Sequence, residues 1–341
     1  MVRVLQAMAG ATHGGAEAFF TRLVVALGHA GLEQRAVIRR HSVRSGALRQ
    51  ADIDVKEVRF GGPLDVRSGL GLRREIERFR PDVVLSWMNR ATRSCPRGDF
   101  VHCARLGGYY KLKHYKRCDH LIGNTRGIVD YLVDQGWPAD RAHYLPNFVT
   151  AERAAPVSRA SLETPESATL LLALGRLHDN KGFDVLIEAM AALPDAWLWI
   201  AGSGPRDKAL KDQAQSLGVA SRIRFLGWRD DVAALLATAD IFVCSSRLEP
   251  LGNVVLEAWA HDVPVVATDH AGPAELISDG KDGLLVPLED APAIAAAVER
   301  IVSDRALALA LTEAGRATYE ANYTEAAVVR RYMDFFAKVA T

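Results

Sequence analysis

Ile241-Phe-Val-Cys-Ser-Ser-Arg-Leu-Glu-Pro-Leu-Gly-Asn-Val-Val-Leu-Glu257 reads as a complete strand–loop–helix unit. Its four leading apolar residues, Ile241–Cys244, have the character of a buried strand. Pro250 and Gly252 keep the chain that follows out of helix, and Asn253 is a suitable N-cap for a helix starting at Val254. Glu249 then lies in the loop and Glu257 about one turn inside the helix. Backbone N–H groups near Gly252 and Asn253, together with the helix dipole, form an anion site suited to phosphate. A plainer reading is also open: Glu257 favours a helix N-terminus, and Glu249 is a solvated loop residue.

A second segment upstream narrows the choice. The strand Thr169–Leu174 runs directly into Gly175-Arg-Leu-His-Asp-Asn-Lys-Gly182. A glycine and then a turn bearing Arg176 and Lys181 before a helix make a natural diphosphate cradle. The order Lys-Gly, with no Ser or Thr after it, is not that of a Walker A loop.

Strands and helices alternate along the rest of the chain. Val2–Met8, Arg35–Ile38, Val83–Trp87 and Leu121–Ile122 read as strands of a first half, with helices at Ala16–Ala30 and Thr125–Gln135. Trp197–Ala201, Ile223–Leu226, Val263–Ala267 and Gly283–Val286 continue the pattern in a second half, and the last helix lies near Glu325–Val339. This is the signature of parallel sheets covered on both faces. The expected architecture is two doubly wound α/β halves facing each other across a cleft, with ligands at the carboxyl ends of the strands. Residues 151–167, rich in Ala, Ser, Glu and Pro and without periodicity, read as the interdomain linker. They divide a first domain, 1–150, from a second, 168–322, and the final segment 323–341 is expected to pack back on the first.

Composition agrees with two domains. A length of 341 residues, at about 150 per domain, gives a prior near two. With 49% apolar and 24% charged residues, the chain is neither disordered, nor collagen-like, nor a disulfide-stapled miniprotein. The net charge of +1 hides an asymmetry: residues 1–150 hold 24 basic and 14 acidic side chains, and residues 151–341 hold 18 and 27. Opposite signs point to different partners for the two halves. Cys95, Cys103, Cys118 and Cys244 show no CxxC spacing and read as reduced thiols of a cytoplasmic protein. No apolar run approaches the ~18 residues of a membrane span.

The chain resembles the retaining glycosyltransferases of family 4, the group 1 family. Glu249-x7-Glu257, Val263-Pro-Val-Val-Ala-Thr268 and Gly175-Arg176…Lys181-Gly182 carry the likeness, with Gly202-Ser-Gly-Pro205, Phe225-Leu-Gly227 and Asp282-Gly-Leu-Leu-Val-Pro287. Gly14-Gly15-Ala-Glu17 and Leu145-Pro-Asn147 extend it into the first half. The resemblance implies a GT-B fold, with a nucleotide-sugar donor on the second domain and the acceptor on the first. It implies that Glu257 binds the ribose hydroxyls and Glu249 the donor sugar. Arg176 and Lys181 would neutralise the departing diphosphate, and backbone N–H groups around Gly15 and around Leu251, Gly252 and Asn253 would contact phosphate or sugar. Gly175 and Gly202 belong to the same donor site. The family's first-domain histidine would correspond to His102, and His13, beside Gly14-Gly15, is a second candidate to line the cleft. Leu251 stands where the family often has Phe, Asp262 where it has Gly, and Phe148 where it has Gly. Same-face attack requires no covalent nucleophile, no cofactor is implied, and leaving-group stabilisation by cations needs no metal.

Asp52-Ile-Asp54 resembles a metal-holding DxD but has no ligand cluster after it, and Gly202-Ser-Gly-Pro-Arg-Asp207 lacks the third glycine of a dinucleotide fingerprint. Tyr109-Tyr-Lys-Leu-Lys-His-Tyr-Lys-Arg117 packs Lys111, Lys113, Lys116 and Arg117 among three tyrosines, and Arg39 and Arg40 add charge to the same half. This reads either as a solvated helix face or as a contact for an anionic lipid surface or acceptor. No nucleic-acid motif accompanies it. The sequence therefore predicts a metal-independent glycosyltransferase that moves a hexosyl group to an anionic lipid-linked or polysaccharide acceptor, in the cytoplasm and at the inner face of the membrane. The alternatives are a nucleotide-sugar epimerase of the same fold and a non-catalytic nucleotide-sugar-binding subunit.

Overall fold

Apolar runs without alternation become central strands buried on both faces. In the computed structural model, which describes residues 2–11, 14–61 and 65–340, they form two sheets in two units. One unit comprises Met1–Phe148 with Glu325–Thr341, the other Val149–Thr324.

The first unit has a parallel sheet of β1 (Arg3–Met8), β2 (Glu33–Arg39), β3 (Asp54–Val58), β4 (Val83–Trp87), β5 (Val101–Leu106), β6 (His120–Gly123) and β7 (Ala142–Tyr144). Their order is β3-β2-β1-β4-β5-β6-β7, with Leu5 of β1 opposite Arg35 and Val84. The direction of winding reverses between β1 and β4. Thr125 starts the helix Arg126–Asp134 by accepting from the Ile128 N–H at 3.0 Å. Asp65 does the same for Val66–Phe79 through Ser68, at 3.1 Å.

The C-terminal helix Glu325–Val339 belongs to this unit and buries Tyr332 and Phe336 in its core. Arg105 of β5 ties it down. The Arg105 Nε–H donates to the Tyr332 hydroxyl at 2.8 Å, and a second guanidinium nitrogen donates to Asn147 Oδ1. The guanidinium carbon lies 4.7 Å from the ring centres of both Phe19 and Trp87. A buried cation with no carboxylate partner among the described residues is thus held by neutral acceptors and aromatic faces.

The second unit has β8 (Thr169–Leu174), β9 (Ala196–Ala201), β10 (Ile223–Gly227), β11 (Ile241–Cys244), β12 (Val265–Thr268) and β13 (Leu284–Val286). All are parallel, in the order β10-β9-β8-β11-β12-β13, and here the winding reverses between β8 and β11. One face is packed by residues such as Leu171, Ile187 and Val243, and the other by Leu170, Trp199, Phe242 and Trp259.

The stretch 151–167, expected as a linker, is held against the second unit. Trp199 donates to the Thr164 hydroxyl at 2.9 Å, the Val157 N–H to Thr238 Oγ1 at 2.8 Å, and Arg159 pairs with Asp240 at 3.0 Å. Its composition hides this because the partners lie far off in sequence.

His102 requires a correction. It is the second residue of β5, near the amino end of the strand and away from the edge where ligands of such sheets bind. Only 4% exposed, it places Nε2 2.9 Å from the Ser86 hydroxyl and 4.0 Å from Cys118 Sγ. Burial lowers its pKa to about 4, against the opposing pull of Asp119. His102 is a neutral core residue, not a group poised at a sugar.

A histidine depressed in this way is protonated in the unfolded chain before it is protonated in the folded one. Its contribution is complete above pH 6.5 and is lost as pH falls toward 4. We predict that His102 accounts for about 3 kcal/mol of acid destabilisation across this window. Urea unfolding of wild type and His102→Gln from pH 7.5 to 4 should give converging profiles. Parallel profiles would contradict the assignment.

Candidate active site

In the second unit, four loops at the carboxyl ends of β8, β9, β11 and β12 pack backbone against backbone. Gly202, directly after β9, donates its N–H to Gly227 O at 2.7 Å, and a Cβ there would lie 1.8 Å from Gly175 O. A Cβ on Gly182 (φ +60°) would lie 2.1 Å from Ser245 O, and one on Gly272 2.6 Å from Glu249 O. Only glycine permits such approaches. Hydrogen bonds fasten the loops: Arg247 N–H to Asn180 O at 2.8 Å, Ser245 Oγ to Lys181 O at 2.9 Å, and Gly272 N–H to Glu249 O at 3.0 Å.

Arg247 is the tie that sequence reasoning missed. Its guanidinium donates to both carboxylate oxygens of Asp184 at 2.7 Å, to Asp179 O at 2.9 Å, and to Glu289. Glu289 first and Asp184 second hold it well above the ordinary arginine pKa. It stands two residues before Glu249 in the stretch already quoted, but its partners lie 63 and 42 residues away. No local pattern announces such a brace.

These loops deliver the predicted residues to one edge of the sheet. Lys181 Nζ forms an ion pair with Glu249 Oε2, with side chains 19% and 16% exposed. Arg176, two residues beyond β8, is exposed and makes no side-chain hydrogen bond or ion pair with another described residue. Leu251 is buried, so the apolar swap for Phe still serves as packing. Gly252, at φ +85°, is the N-cap of the helix Asn253–Ala260. The cap is therefore one residue earlier than the sequence suggests and supplies no side chain to the helix end. Glu257 is half-buried in the second turn of this helix. Arg176 and Lys181 thus follow β8, and Glu249, Gly252 and Glu257 follow β11, the two strands between which the winding reverses. Such a set can hold a diphosphate and a polyhydroxylated group together.

In the first unit, Gly15 is exposed and begins the helix Gly15–His29, with open space beside it. Glu17 closes the loop before it, accepting from the Ala11 N–H at 2.7 Å. His13 lies outside the described residues. Asp54 of the DxD look-alike is paired with Arg35, and Asp52 sits in a left-handed turn at φ +56°. Lys111, Lys113, Lys116 and Arg117 are exposed, as are Arg39 and Arg40 at the end of β2. The tyrosine belt read among these cations is not one: Tyr115 is fully buried and donates to Asn89 Oδ1, and the backbone here is a single 3-10 turn, Leu112–His114. Among the described residues, no helix is long and apolar enough to cross a membrane.

Residues 155–318 match the family model described as glycosyl transferases group 1, and residues 13–153 match that of glycosyltransferase family 4. A lipopolysaccharide core biosynthesis glycosyltransferase of Rhizobium meliloti, LpsE, is 39% identical over 95% of this chain and 96% of its own length. Among solved structures, a glycosyltransferase of Rickettsia africae superposes with a TM-score of 0.88 at 19% identity, covering 99% of this chain and 98% of that one. Anabaena HepE in complex with UDP-glucose gives 0.83 at 19% identity, covering 99% and 100%. The two parallel-sheet units are those of the GT-B fold, and the chain belongs to the group 1 glycosyltransferases of family 4.

Proposed function

We propose that this enzyme transfers a hexosyl group from a nucleoside diphosphate sugar to a lipid-linked or polysaccharide acceptor of the cell envelope, with retention of configuration and without a metal ion. The observation that carries this reading is the Lys181–Glu249 pair, with Arg176 exposed just past the same strand β8 and without a hydrogen-bond or ion-pair partner among the described residues. The likeness to a lipopolysaccharide core enzyme supports the acceptor class, and that to a protein holding UDP-glucose supports the donor class. Exposed Lys111, Lys113 and Lys116 support transient contact with an anionic membrane on the cytoplasmic side.

The donor diphosphate lies against Arg176, Lys181 and the N–H groups at the Gly252 end of the helix. Lys181 has three donors, so it can hold Glu249 and a phosphate oxygen at once. Glu249 accepts from a sugar hydroxyl, and Glu257 from the ribose. The acceptor hydroxyl oxygen bonds to the anomeric carbon as the bond to the diphosphate breaks. The electron pair stays on the phosphate oxygen, which takes the hydroxyl proton. Negative charge grows on the diphosphate, where two cations and a helix N-terminus already point, so they stabilise the transition state more than the ground state.

Arg176→Ala and Lys181→Ala should each lower kcat/KM by roughly 10- to 100-fold, the worth of a charge-assisted hydrogen bond to phosphate. Thermal unfolding of Arg176→Ala should match wild type, since Arg176 ties down nothing in the fold. Near-native turnover in both variants would remove the diphosphate assignment.

The two glutamates should separate kinetically. Glu257→Gln should mainly raise donor KM, because ribose is remote from the breaking bond. Glu249→Gln should mainly lower kcat, because sugar contacts strengthen as charge develops. Interchanged effects would reverse the two roles.

A further inference from the structure

A cavity of ≈ 790 Å³ lies within the first unit, apart from every residue given a donor role above. It opens where β1 and β4 end. Ala9 stands just past β1, and Met88, Asn89 and Arg90 directly follow β4. This is where the winding of the sheet reverses, the position at which open α/β sheets hold ligands. The volume lies within the range of about 300–1,000 Å³ usual for small-molecule sites.

The lining is cationic. Arg73, Arg90, Arg93 and Arg117 all face the cavity, with His114 beside them. Asp65 is the one carboxylate among the described lining residues, and its oxygens are engaged by the Gly61 N–H at 2.6 Å and by the Ser68 hydroxyl and N–H at 2.5 and 3.1 Å. Arg73 pairs with Glu77 at 2.9 Å outside the lining, and Arg90 donates to Phe60 O at 3.1 Å. Arg93 and Arg117 have no carboxylate partner among the described residues. A concave wall of one sign concentrates its field inward. Guanidinium groups also match the paired oxygens of phosphate and carboxylate. The bond from Tyr115 to Asn89 fixes the segment carrying His114 and Arg117 against this wall. Lys111, Lys113 and Lys116 are not in the lining, so the cavity is distinct from the exposed cations that a flat lipid surface would meet.

We propose that this cavity binds a phosphate or carboxylate group on the acceptor sugar and so selects anionic glycan acceptors over neutral ones. The proposal deepens the glycosyltransferase reading and rests on it for the word acceptor. The cavity's preference for an anionic sugar can be measured independently of turnover.

The test is calorimetric titration of the full chain, at low salt, with glucose 6-phosphate, glucuronic acid and glucose. Wild type should bind at least one of the two anionic sugars about tenfold or more tightly than glucose. Arg93→Ala/Arg117→Ala should lose that preference by about tenfold or more, Arg93→Lys/Arg117→Lys should keep most of it, and Lys181→Ala should keep all of it. Phosphate alone responding places a phosphoester in the cavity, and glucuronate alone places a uronic acid there. Equal affinity for glucose, no binding of either anionic sugar, or an unchanged double Ala variant would overturn the proposal. So would loss of binding in Lys181→Ala, which would put the probe in the donor cradle. If the double Ala variant instead loses only co-sedimentation with phosphatidylglycerol vesicles, the cluster serves a lipid surface and the proposal fails. UDP binding, run in parallel on wild type and Lys181→Ala, reports on the donor reading alone. Its insensitivity to Lys181 would sink that reading without touching the arginine result.

Discussion

Gly182 passes so close to the Ser245 carbonyl that a single added carbon would lie 2.1 Å from the oxygen. The proposed donor edge of the second unit depends on this approach. It brings the loop after β8 against the loop after β11, so that Lys181 from one can pair with Glu249 from the other. Gly202 against Gly175 and Gly272 against Glu249 repeat the device on either side. Arg247 then locks the assembly by holding Asp184 and Glu289 on two further elements. An edge braced in this way is arranged before any ligand arrives, as electrostatic stabilisation of a leaving group would require.

The two units use charge differently. In the second unit cations are matched by carboxylates, Lys181 by Glu249 and Arg247 by Asp184 and Glu289, as would suit a ligand with both an anionic diphosphate and neutral hydroxyls. In the first unit the cavity between the ends of β1 and β4 is lined by arginines, and Asp65, the one carboxylate among the described lining residues, is already engaged. Arg105 shows a third use: buried with neutral acceptors and aromatic rings, it secures the C-terminal helix. The surplus of positive charge in residues 1–150 is therefore divided among structural, cavity-lining and exposed side chains.

Much of the candidate donor site was legible in the sequence because its signals are local. A strand, a glycine and a basic turn are neighbours in sequence, and so are Glu249, Gly252 and Glu257. Asp262 stands where the family has Gly, and it takes up the left-handed conformation that favours glycine, at φ +61°. What escaped depends on distance. Arg247 is unremarked until Asp184 and Glu289 are folded beside it. His102 has a suggestive position in sequence, but pleat and register place it near the amino end of β5, next to Ser86. The Tyr–Lys cluster read as a solvated helix face or a lipid contact, yet Tyr115 is buried and Arg117 lines a cavity together with Arg73 and Arg90. Helix Glu325–Val339 was placed correctly as an element, but its anchor, Arg105, lies 227 residues from Tyr332.

The central claim is that the second unit holds a donor diphosphate between Arg176, Lys181 and the Gly252-capped helix. A crystal structure of the enzyme with a non-hydrolysable UDP-sugar tests it most directly. The account predicts phosphate oxygens within hydrogen-bonding distance of the Arg176 guanidinium and of Lys181 Nζ, with Lys181 still touching Glu249. It also predicts that the Glu257 carboxylate accepts from the ribose. A nucleotide bound elsewhere on the chain, or a diphosphate out of reach of both cations, would contradict it.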